Sequence, residues 1–177
     1  MPDHVIRTYP TRTMVDLEHP TPGAIHVEDV AHSLSMLCRY AGHCQSFYSV
    51  AEHSLLVCSL GGSSSVLKVE LLAHLLHDAS EAYLGEVTSP LKSLLPHYQE
   101  LEARWEAVIR ERFDLPGDES LWRKVGRADH QALLIEQRVL CWDASLPDPG
   151  LGVDMDCWLP ADAERRFLYN FHRLGGR

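Results

Sequence analysis

Residues 66–84 form the most apolar stretch of helical pattern in the chain, with apolar residues on most sides of the helix. Such a pattern predicts a central, buried helix. His77 and Asp78 lie side by side within this stretch. A charged aspartate in apolar surroundings is costly unless it is paired or coordinates a cation. Neighbouring helix positions point about 100° apart, so both side chains can lean toward one metal ion.

Two more polar residues lie on the same face of this predicted helix. Glu81 follows the pair by one turn, and His74 precedes it by one turn. Together the four residues would form a polar stripe on an otherwise apolar helix. A stripe that faces solvent explains the same spacing equally well, so periodicity alone does not establish a metal site.

The rest of the chain predicts an all-α fold. Apolar residues recur at helical spacing, and glycines and prolines mark the breaks between helices. The predicted helices are residues 27–40, a helix beginning at Ser49, 66–84, a short helix after Pro90, 97–113, 125–141 and 160–174, with a loop at 147–152. The start at Ser49 rests on a capping box, because Glu52 follows three residues later.

The first 28 residues have a different character. Short β-prone runs at 7–9 and 13–17 flank a proline-containing turn, which predicts a small hairpin. No linker is long enough to divide the remainder, and a length of 177 residues suits one domain. We therefore expect a single domain over residues 1–177, with a hairpin extension at 1–28 and a helical bundle at 29–177.

Charge and cysteine content narrow the class of protein. The formal net charge is −9 with neutral histidines, and no run of Lys and Arg forms a basic face, which argues against a nucleic-acid polymer as partner. Five cysteines without a Cys-x-x-Cys pair are typical of reduced thiols in a cytosolic protein. The start of the chain lacks a signal-peptide pattern, and no run of 18 apolar residues could cross a membrane. We expect a cytoplasmic protein with no membrane partner.

His53 and Asp129 complete a candidate ligand set with His77 and Asp78. Taken singly, His53 is typical of a structural histidine, and Asp129 of an acid at the start of a helix. Two histidines and two aspartates would make a mixed nitrogen–oxygen site that suits Mn²⁺, Fe²⁺, Co²⁺ or Zn²⁺, and less specifically Mg²⁺. Spacing cannot bring these residues together without a fold, because they lie on separate predicted helices.

Longer strings of residues carry a resemblance to a known family. They are Ser49-Val50-Ala51-Glu52-His53-Ser54, His77-Asp78-Ala79-Ser80-Glu81 and Gly85-Glu86-Val87-Thr88-Ser89-Pro90-Leu91-Lys92. In this order and spacing the chain resembles the HD-domain superfamily of metal-dependent phosphohydrolases, and within it the bacterial 5′-deoxynucleotidase branch. The string at 47–53 and the N-terminal hairpin also resemble a group of uncharacterised bacterial and phage HD phosphohydrolases.

The resemblance implies an HD-domain helical bundle and a role for each matched residue. In that family one divalent metal ion has four protein ligands. The residues of this chain that match them are His53, His77, Asp78 and Asp129. Glu81 matches the acid that positions or deprotonates the attacking water. Residues implied or considered for substrate binding are Arg39, Tyr40, Glu86, Lys92 and, from its place near Arg39, His43. Tyr40 stands where the branch has Trp, and Glu86 where it has Asp, so the sugar and phosphate-chain preferences stay open.

The expected activity is hydrolysis of deoxyribonucleoside 5′-monophosphates to deoxynucleoside and phosphate. The first alternative is a deoxynucleoside triphosphate triphosphohydrolase, although Arg39, Lys92 and Arg127 are few cations for a triphosphate. Two further alternatives are a catalytically silent nucleotide-binding module and a cyclic-nucleotide phosphodiesterase, for which His74 would help hold a second metal. The resemblance also implies a homodimer.

Overall fold

The structure, a computed structural model, describes residues 4–62, 66–141 and 155–177. Within these ranges it contains eight α-helices and one two-stranded antiparallel hairpin, which confirms the predicted all-α class with an N-terminal hairpin. The strands are β1 (Val5–Arg7) and β2 (Met14–Asp16), and the helices are α1 (Val27–Met36), α2 (Val50–Leu60), α3 (Lys68–Leu75), α4 (Glu81–Leu84), α5 (Ser89–Lys92), α6 (Pro96–Arg112), α7 (Glu119–Leu140) and α8 (Pro160–Arg173). The predicted loop at 147–152 lies outside the described residues.

The hairpin is fastened to the first helix by one buried carboxylate. Asp29 on α1 is 2% exposed. It accepts hydrogen bonds from the hydroxyls of Thr8 and Thr11, both at 2.6 Å, and from the Thr11 backbone N–H at 2.9 Å. These bonds satisfy a charge that burial would otherwise penalise, and they fix the hairpin against the bundle.

Helix α2 is the central element of the bundle, since it packs against α1, α3, α7 and α8. Its residues are buried on most sides, including the polar side chains of Glu52, His53 and Ser54. The sequence had indicated residues 66–84 for this place. Much of that segment is buried as predicted, but the central position belongs to α2, so that part of the interpretation was wrong. The error has a physical reason: α2 owes its burial to neighbours on several sides, and such contacts leave a weak pattern in the sequence.

The helix predicted at 66–84 is two helices, α3 and α4, joined by a tight turn over residues 76–80. Short-range hydrogen bonds form the turn, from the N–H of Ala79 to the carbonyl of Leu76 and from the N–H of Glu81 to the carbonyl of Asp78. His77 and Asp78 therefore lie in the turn and not within a helix. The turn frees their side chains from strict helical spacing, so both can face the same point.

Two other predicted helix boundaries were also wrong. Helix α1 ends at Met36, and Tyr40 and Ala41 adopt the left-handed conformation with φ of 59° and 51°. Helix α7 begins at Glu119, where the Asp118 carboxylate accepts the Ser120 N–H and caps the helix. Asp129 consequently lies in the middle of α7, and not near a helix start.

Close packing surrounds the end of α2. Gly61 follows the helix and faces the ring of His74 on α3, and a Cβ atom at Gly61 would overlap that ring. The ring itself is held by a 2.7 Å hydrogen bond from its Nδ1 to the Glu70 carbonyl.

No helix in the described ranges combines the length and the apolarity that a membrane crossing requires.

Candidate metal centre

Three separate segments bring ligand atoms to one point. His53 extends from α2, His77 from the turn between α3 and α4, and Asp129 from α7. The ligand atoms of these three residues all lie within 4.8 Å of one another, which makes them a candidate metal site. The prediction that His53, His77 and Asp129 converge is confirmed.

The separations within the cluster suit ligands of a single ion. His53 Nε2 lies 3.2 Å from His77 Nε2 and 3.1 Å from Asp129 Oδ1. His77 Nε2 lies 3.8 Å from the same Asp129 oxygen. Ligand atoms ~2.1 Å from an ion are about 3.0–3.4 Å apart in octahedral or tetrahedral coordination, so these spacings need little adjustment.

Asp78 borders the same space. Its Oδ2 lies 3.4 Å from His53 Nε2 and 3.2 Å from His77 Nε2. Nη1 of Arg39 lies 3.8 Å from the same oxygen. One carboxylate oxygen of Asp78 thus lies near both imidazoles and near a guanidinium group.

Hydrogen bonds on the far sides of the two imidazoles favour a cation between them. His53 Nδ1 lies 2.6 Å from a Glu136 carboxylate oxygen, and His77 Nδ1 lies 2.9 Å from the His74 carbonyl. These oxygens accept hydrogen bonds, so each Nδ1 is the donor. In the neutral rings both Nε2 atoms then carry lone pairs, which point at one another and at carboxylate oxygens. A cation relieves this repulsion, and the donor set fits a divalent metal ion.

The electrostatics of the cluster lead to the same conclusion. Burial lowers the pKa of His77, but Asp78 and Asp129 outweigh it and raise that pKa to about 9. Burial raises the pKa of Asp129, yet its hydrogen bonds to His53 and His77 hold it well below the ordinary value. The pKa of Asp78 is likewise raised by burial and held far lower by the two histidines. The site therefore stabilises positive charge at its centre, whether carried by protons or by a metal ion.

A fifth residue, Glu136, organises the back of the cluster. It is fully buried on α7. One carboxylate oxygen contacts His53 Nδ1, and the other accepts hydrogen bonds from Arg39 Nε at 3.3 Å, Arg39 Nη2 at 3.1 Å and the Tyr40 hydroxyl at 2.9 Å. Burial raises the pKa of Glu136, but His53 and Arg39 hold it below the ordinary value, so the carboxylate stays charged.

The Glu136→Gln variant is expected to bind a divalent metal about 10–100-fold more weakly than the wild type, because a carboxylate behind a ligand histidine fixes its tautomer and raises its basicity. Competition against a chromogenic chelator measures this affinity. Glu164→Gln is the matched control, since Glu164 makes a similar contact with His32, at 3.0 Å, away from the cluster. Equal affinities for the Glu136→Gln variant and the control would contradict a positioning role for Glu136.

Arg39 and Tyr40 reach the site from the 3₁₀ turn Arg39–Gly42, and not from the end of a helix. Arg39 is 9% exposed, and its Nε–Nη2 edge is occupied by Glu136. The end of the guanidinium that bears Nη1 faces Asp78. Its charge is thus fixed beside the cluster, although only part of its hydrogen-bonding capacity is left for a ligand.

Glu81 lies at the start of α4 and is 5% exposed. Its Oε2 atom has no hydrogen-bond partner among the described residues. Burial is the main reason that the pKa of Glu81 rises to about 9, and the negative charge of Asp78 contributes, while Arg39 opposes the shift. A buried carboxyl group with a free oxygen thus lies within the electrostatic reach of the cluster.

Glu86 and Lys92 lie at the border of the cluster. Glu86 accepts the Tyr40 backbone N–H at 3.2 Å, which ties it to the turn that carries Arg39. Lys92 Nζ lies 2.5 Å from Glu102 on α6. Burial lowers the pKa of Lys92, but Glu102, Glu81 and Asp78 outweigh it and raise that pKa.

Two histidines considered from the sequence do not join the described cluster. His43 is exposed, and no hydrogen bond or ion pair links its side chain to the described ligand residues. The His74 ring turns toward Glu70 and Gly61, and only its backbone carbonyl supports the site, by accepting the Nδ1–H of His77. Arg127 lines a separate cavity together with His74.

Sequence reasoning assigned no role in the site to Glu136, and it missed a long-range contact of Glu52. Glu136 follows Asp129 by seven positions, two helical turns, so a shared face of α7 was the available signal. Glu52 was assigned to a reciprocal capping box. Ser49 does cap α2, but the Glu52 carboxylate accepts the backbone N–H groups of Cys157 and Trp158, at 3.0 and 2.9 Å. No local pattern indicates that long-range contact.

Two curated relatives of this chain are named as uncharacterized proteins. No family model matches the chain. This chain is 45% identical over 92 residues to the uncharacterized protein YfdR of Escherichia coli. The aligned residues make up 52% of this chain and 49% of YfdR. The chain is 42% identical over 107 residues to the uncharacterized protein RCAP_rcc00048 of Rhodobacter capsulatus, covering 58% of this chain and 55% of that protein. The chain thus spans about half the length of the curated relatives it matches.

Proposed function

We propose that this chain is a divalent-metal-dependent phosphohydrolase of the HD-domain type that acts on nucleotides, with deoxyribonucleoside 5′-monophosphates as the favoured substrates. The observation that carries the proposal is the convergence of His53, His77 and Asp129, with an Asp78 oxygen 3.4 and 3.2 Å from the two imidazoles. The motif strings that contain His53, His77 and Asp78 supply the HD resemblance, and the order of the proposed ligands along the chain agrees with it.

The proposed ligand set is His53, His77, Asp78 and Asp129. Asp78 belongs to it because its Oδ2 lies 3.4 and 3.2 Å from the two imidazole nitrogens, which are themselves 3.2 Å apart. When bound, a divalent ion of the Mn²⁺, Co²⁺, Fe²⁺, Zn²⁺ or Mg²⁺ group lowers the pKa of water and offsets charge on phosphoryl oxygens.

Glu81 is the proposed proton acceptor for the attacking water. The role needs a carboxylate oxygen that no protein group already occupies, and Glu81 Oε2 meets this condition among the described contacts. It also needs the anionic form. Because Asp78 contributes to the raised pKa of Glu81, positive charge beside Asp78 lowers that pKa again and favours the anion.

Arg39 and Lys92 are the proposed phosphate contacts. Arg39 offers the end of its guanidinium beside Asp78, while Glu136 holds its other edge in place. Lys92 adds a second positive charge that is partly balanced by Glu102. Two cations, each partly balanced by neighbouring carboxylates, match a monophosphate better than a triphosphate, and Arg127 lies in a different cavity. Tyr40 and Glu86, which share a backbone hydrogen bond, are the proposed contacts to the sugar.

The alternatives have less support. A two-metal phosphodiesterase needs a second group of ligands, and the described residues contain one group of three or more metal-ligand side chains. The His74 ring, which would have served a second metal, is turned toward Glu70. A catalytically silent module has no need for a buried carboxyl group with an unpartnered oxygen, as Glu81 has.

The Arg39→Lys variant tests the phosphate contact. Lysine keeps the charge but cannot reproduce the planar guanidinium, so kcat/KM for dAMP should fall at least about tenfold, a loss of ~1.4 kcal/mol. Since Arg39 is buried and bonded to Glu136, a lower melting temperature is expected as well. Steady-state kinetics below the melting temperature separate the two effects. Unchanged kcat/KM in a destabilised variant would make Arg39 purely structural.

A substrate panel tests the proposed function directly. Purified protein should release inorganic phosphate from dAMP, dGMP, dCMP or dTMP in the presence of Mn²⁺, Co²⁺ or Mg²⁺, and lose that activity in EDTA. The Asp129→Asn variant controls for contaminating phosphatases. Release of triphosphate from deoxynucleoside triphosphates would favour the triphosphohydrolase alternative, and the absence of hydrolysis with every nucleotide and metal would overturn the proposal.

A further inference from the structure

A groove of about 490 Å³ lies between α2 and α8 and shares no lining residue with the metal cluster. Its floor is apolar and includes Leu55, Cys58 and Leu71. Its sides carry two aromatic and two basic residues, Trp158, Tyr169, Arg166 and Arg173. The volume lies in the range of small-molecule sites, about 300–1,000 Å³, and the combination of an apolar floor with a few polar groups is typical of them.

Both basic residues lack a carboxylate partner in the described part of the chain. The Arg166 guanidinium stacks on the Trp158 ring, 4.2 Å from its centroid, which leaves the N–H groups at its edge available. Arg173 donates one hydrogen bond to the Asn170 side chain, at 3.0 Å. By contrast, the neighbouring Arg165 pairs with Asp162 at 2.7 Å. Two unbalanced guanidinium groups beside one groove, in a chain of net charge −9, create a local attraction for an anion.

The aromatic side of the groove points to a flat ring as part of the ligand. The Tyr169 side chain is 66% exposed, which leaves its ring face accessible. Arg173 and Cys58 line the same groove, so a guanidinium group and the apolar floor are both within reach of one ligand. Guanidinium groups beside an accessible ring and an apolar floor suit a ligand with a phosphate at one end and a stacking base at the other.

We propose that this groove is a second binding site, for a free nucleotide, with the phosphate on Arg166 and Arg173 and the base against Tyr169 and the apolar floor. The site goes beyond the proposed hydrolysis and does not depend on it. A free nucleotide is favoured over a nucleic-acid polymer, because two arginines neutralise few phosphates and the rest of an acidic surface repels a longer chain. Its ligand would contact α2, the helix that carries His53.

The test observes the groove itself. Trp158 is one of four tryptophans, so its indole N–H gives one of four signals in a ¹⁵N spectrum, and a Trp158→Phe variant assigns it. The full chain in the Glu81→Gln form, with Mg²⁺, is titrated with dAMP. The Trp158 signal should shift and saturate. Arg173→Gln should weaken this binding at least about tenfold, as expected for losing a charged hydrogen bond. Arg165→Gln, the matched control on the same helix, should bind as the parent does.

Several results would overturn the assignment. One is the absence of a saturable shift, and another is unchanged affinity in the Arg173→Gln variant. If inorganic phosphate or deoxyadenosine bound as tightly as dAMP, the groove would not recognise a whole nucleotide. If a short oligodeoxyadenylate bound more tightly per chain than dAMP, the ligand would be a polymer. If the substrate panel shows no hydrolysis, this test of the groove still stands. Its readout is the Trp158 signal and does not require hydrolysis.

Discussion

The Asp78→Ala variant should lose both its bound metal and its phosphohydrolase activity while remaining helical. Asp78 contributes the oxygen that faces both imidazoles, and no other described carboxylate can replace it in the turn between α3 and α4. Removing the carboxylate also leaves Arg39 without one of its two acidic neighbours. The remaining set of His53, His77 and Asp129 would bind a divalent ion far more weakly.

Elemental analysis after dialysis measures the metal content, and circular dichroism checks the helical fold. Asp16→Ala is the matched control, because Asp16 also lies beside a histidine, 3.6 Å from His19, but far from the cluster in exposed surroundings. The control should keep its metal and its activity. A wild-type metal content in the Asp78→Ala variant would remove Asp78 from the ligand set.

The Glu81→Ala variant should keep metal and substrate and lose turnover, with kcat lowered about 10²–10⁴-fold. This range is the usual contribution of a positioned general base. The contacts of Glu81 explain why little else should change, since its Oε2 atom makes no hydrogen bond to any described residue. Metal retention separates this variant from Asp78→Ala, in which metal and activity disappear together.

Glu81→Gln repeats the experiment without a cavity, since the amide has nearly the volume of the carboxyl group. Both variants should show the same loss of kcat with KM close to that of the wild type. Near-normal kcat in the Gln variant, with a loss confined to the Ala variant, would assign Glu81 to packing and end its role as a base.

The class of fold was predictable because helical periodicity is a local property of the sequence. The interruption of the predicted 66–84 helix was not. Leu76, Ala79 and their neighbours are compatible with a helix, so the turn is a product of packing, with His77 and Asp78 directed toward α2 and α7. The left-handed Tyr40 was also unpredictable, since such a conformation is uncommon in bulky residues and is maintained here by the Glu86 contact to its backbone N–H.

The candidate site was predictable in its ligands and not in its support. The motif strings identified His53 and His77, the resemblance added Asp129, and the fold brings the three together. Periodicity also suggested His74 as a member of the same polar stripe, but that argument assumed one continuous helix. The spacing of Glu136 from Asp129 indicates a shared face of α7, but the support that Glu136 gives depends on how this face lies against α2. Sequence patterns thus identified the candidate ligand residues. They did not identify the residue that orients a ligand, because that role depends on tertiary contacts.

The close approach of Gly61 to the His74 ring limits how this chain can vary. Gly61 has φ of −70°, a conformation that any residue adopts, so the restriction at this position is one of volume alone. The His74 ring cannot simply rotate away without losing its bond to Glu70, and the backbone of the same residue holds His77. Positions 61 and 74 should therefore change together during evolution. Homologues with a side chain at position 61 are expected to carry a smaller residue at position 74, and a covariation of this kind would trace the candidate metal site through a pair of residues that contribute none of its ligand atoms.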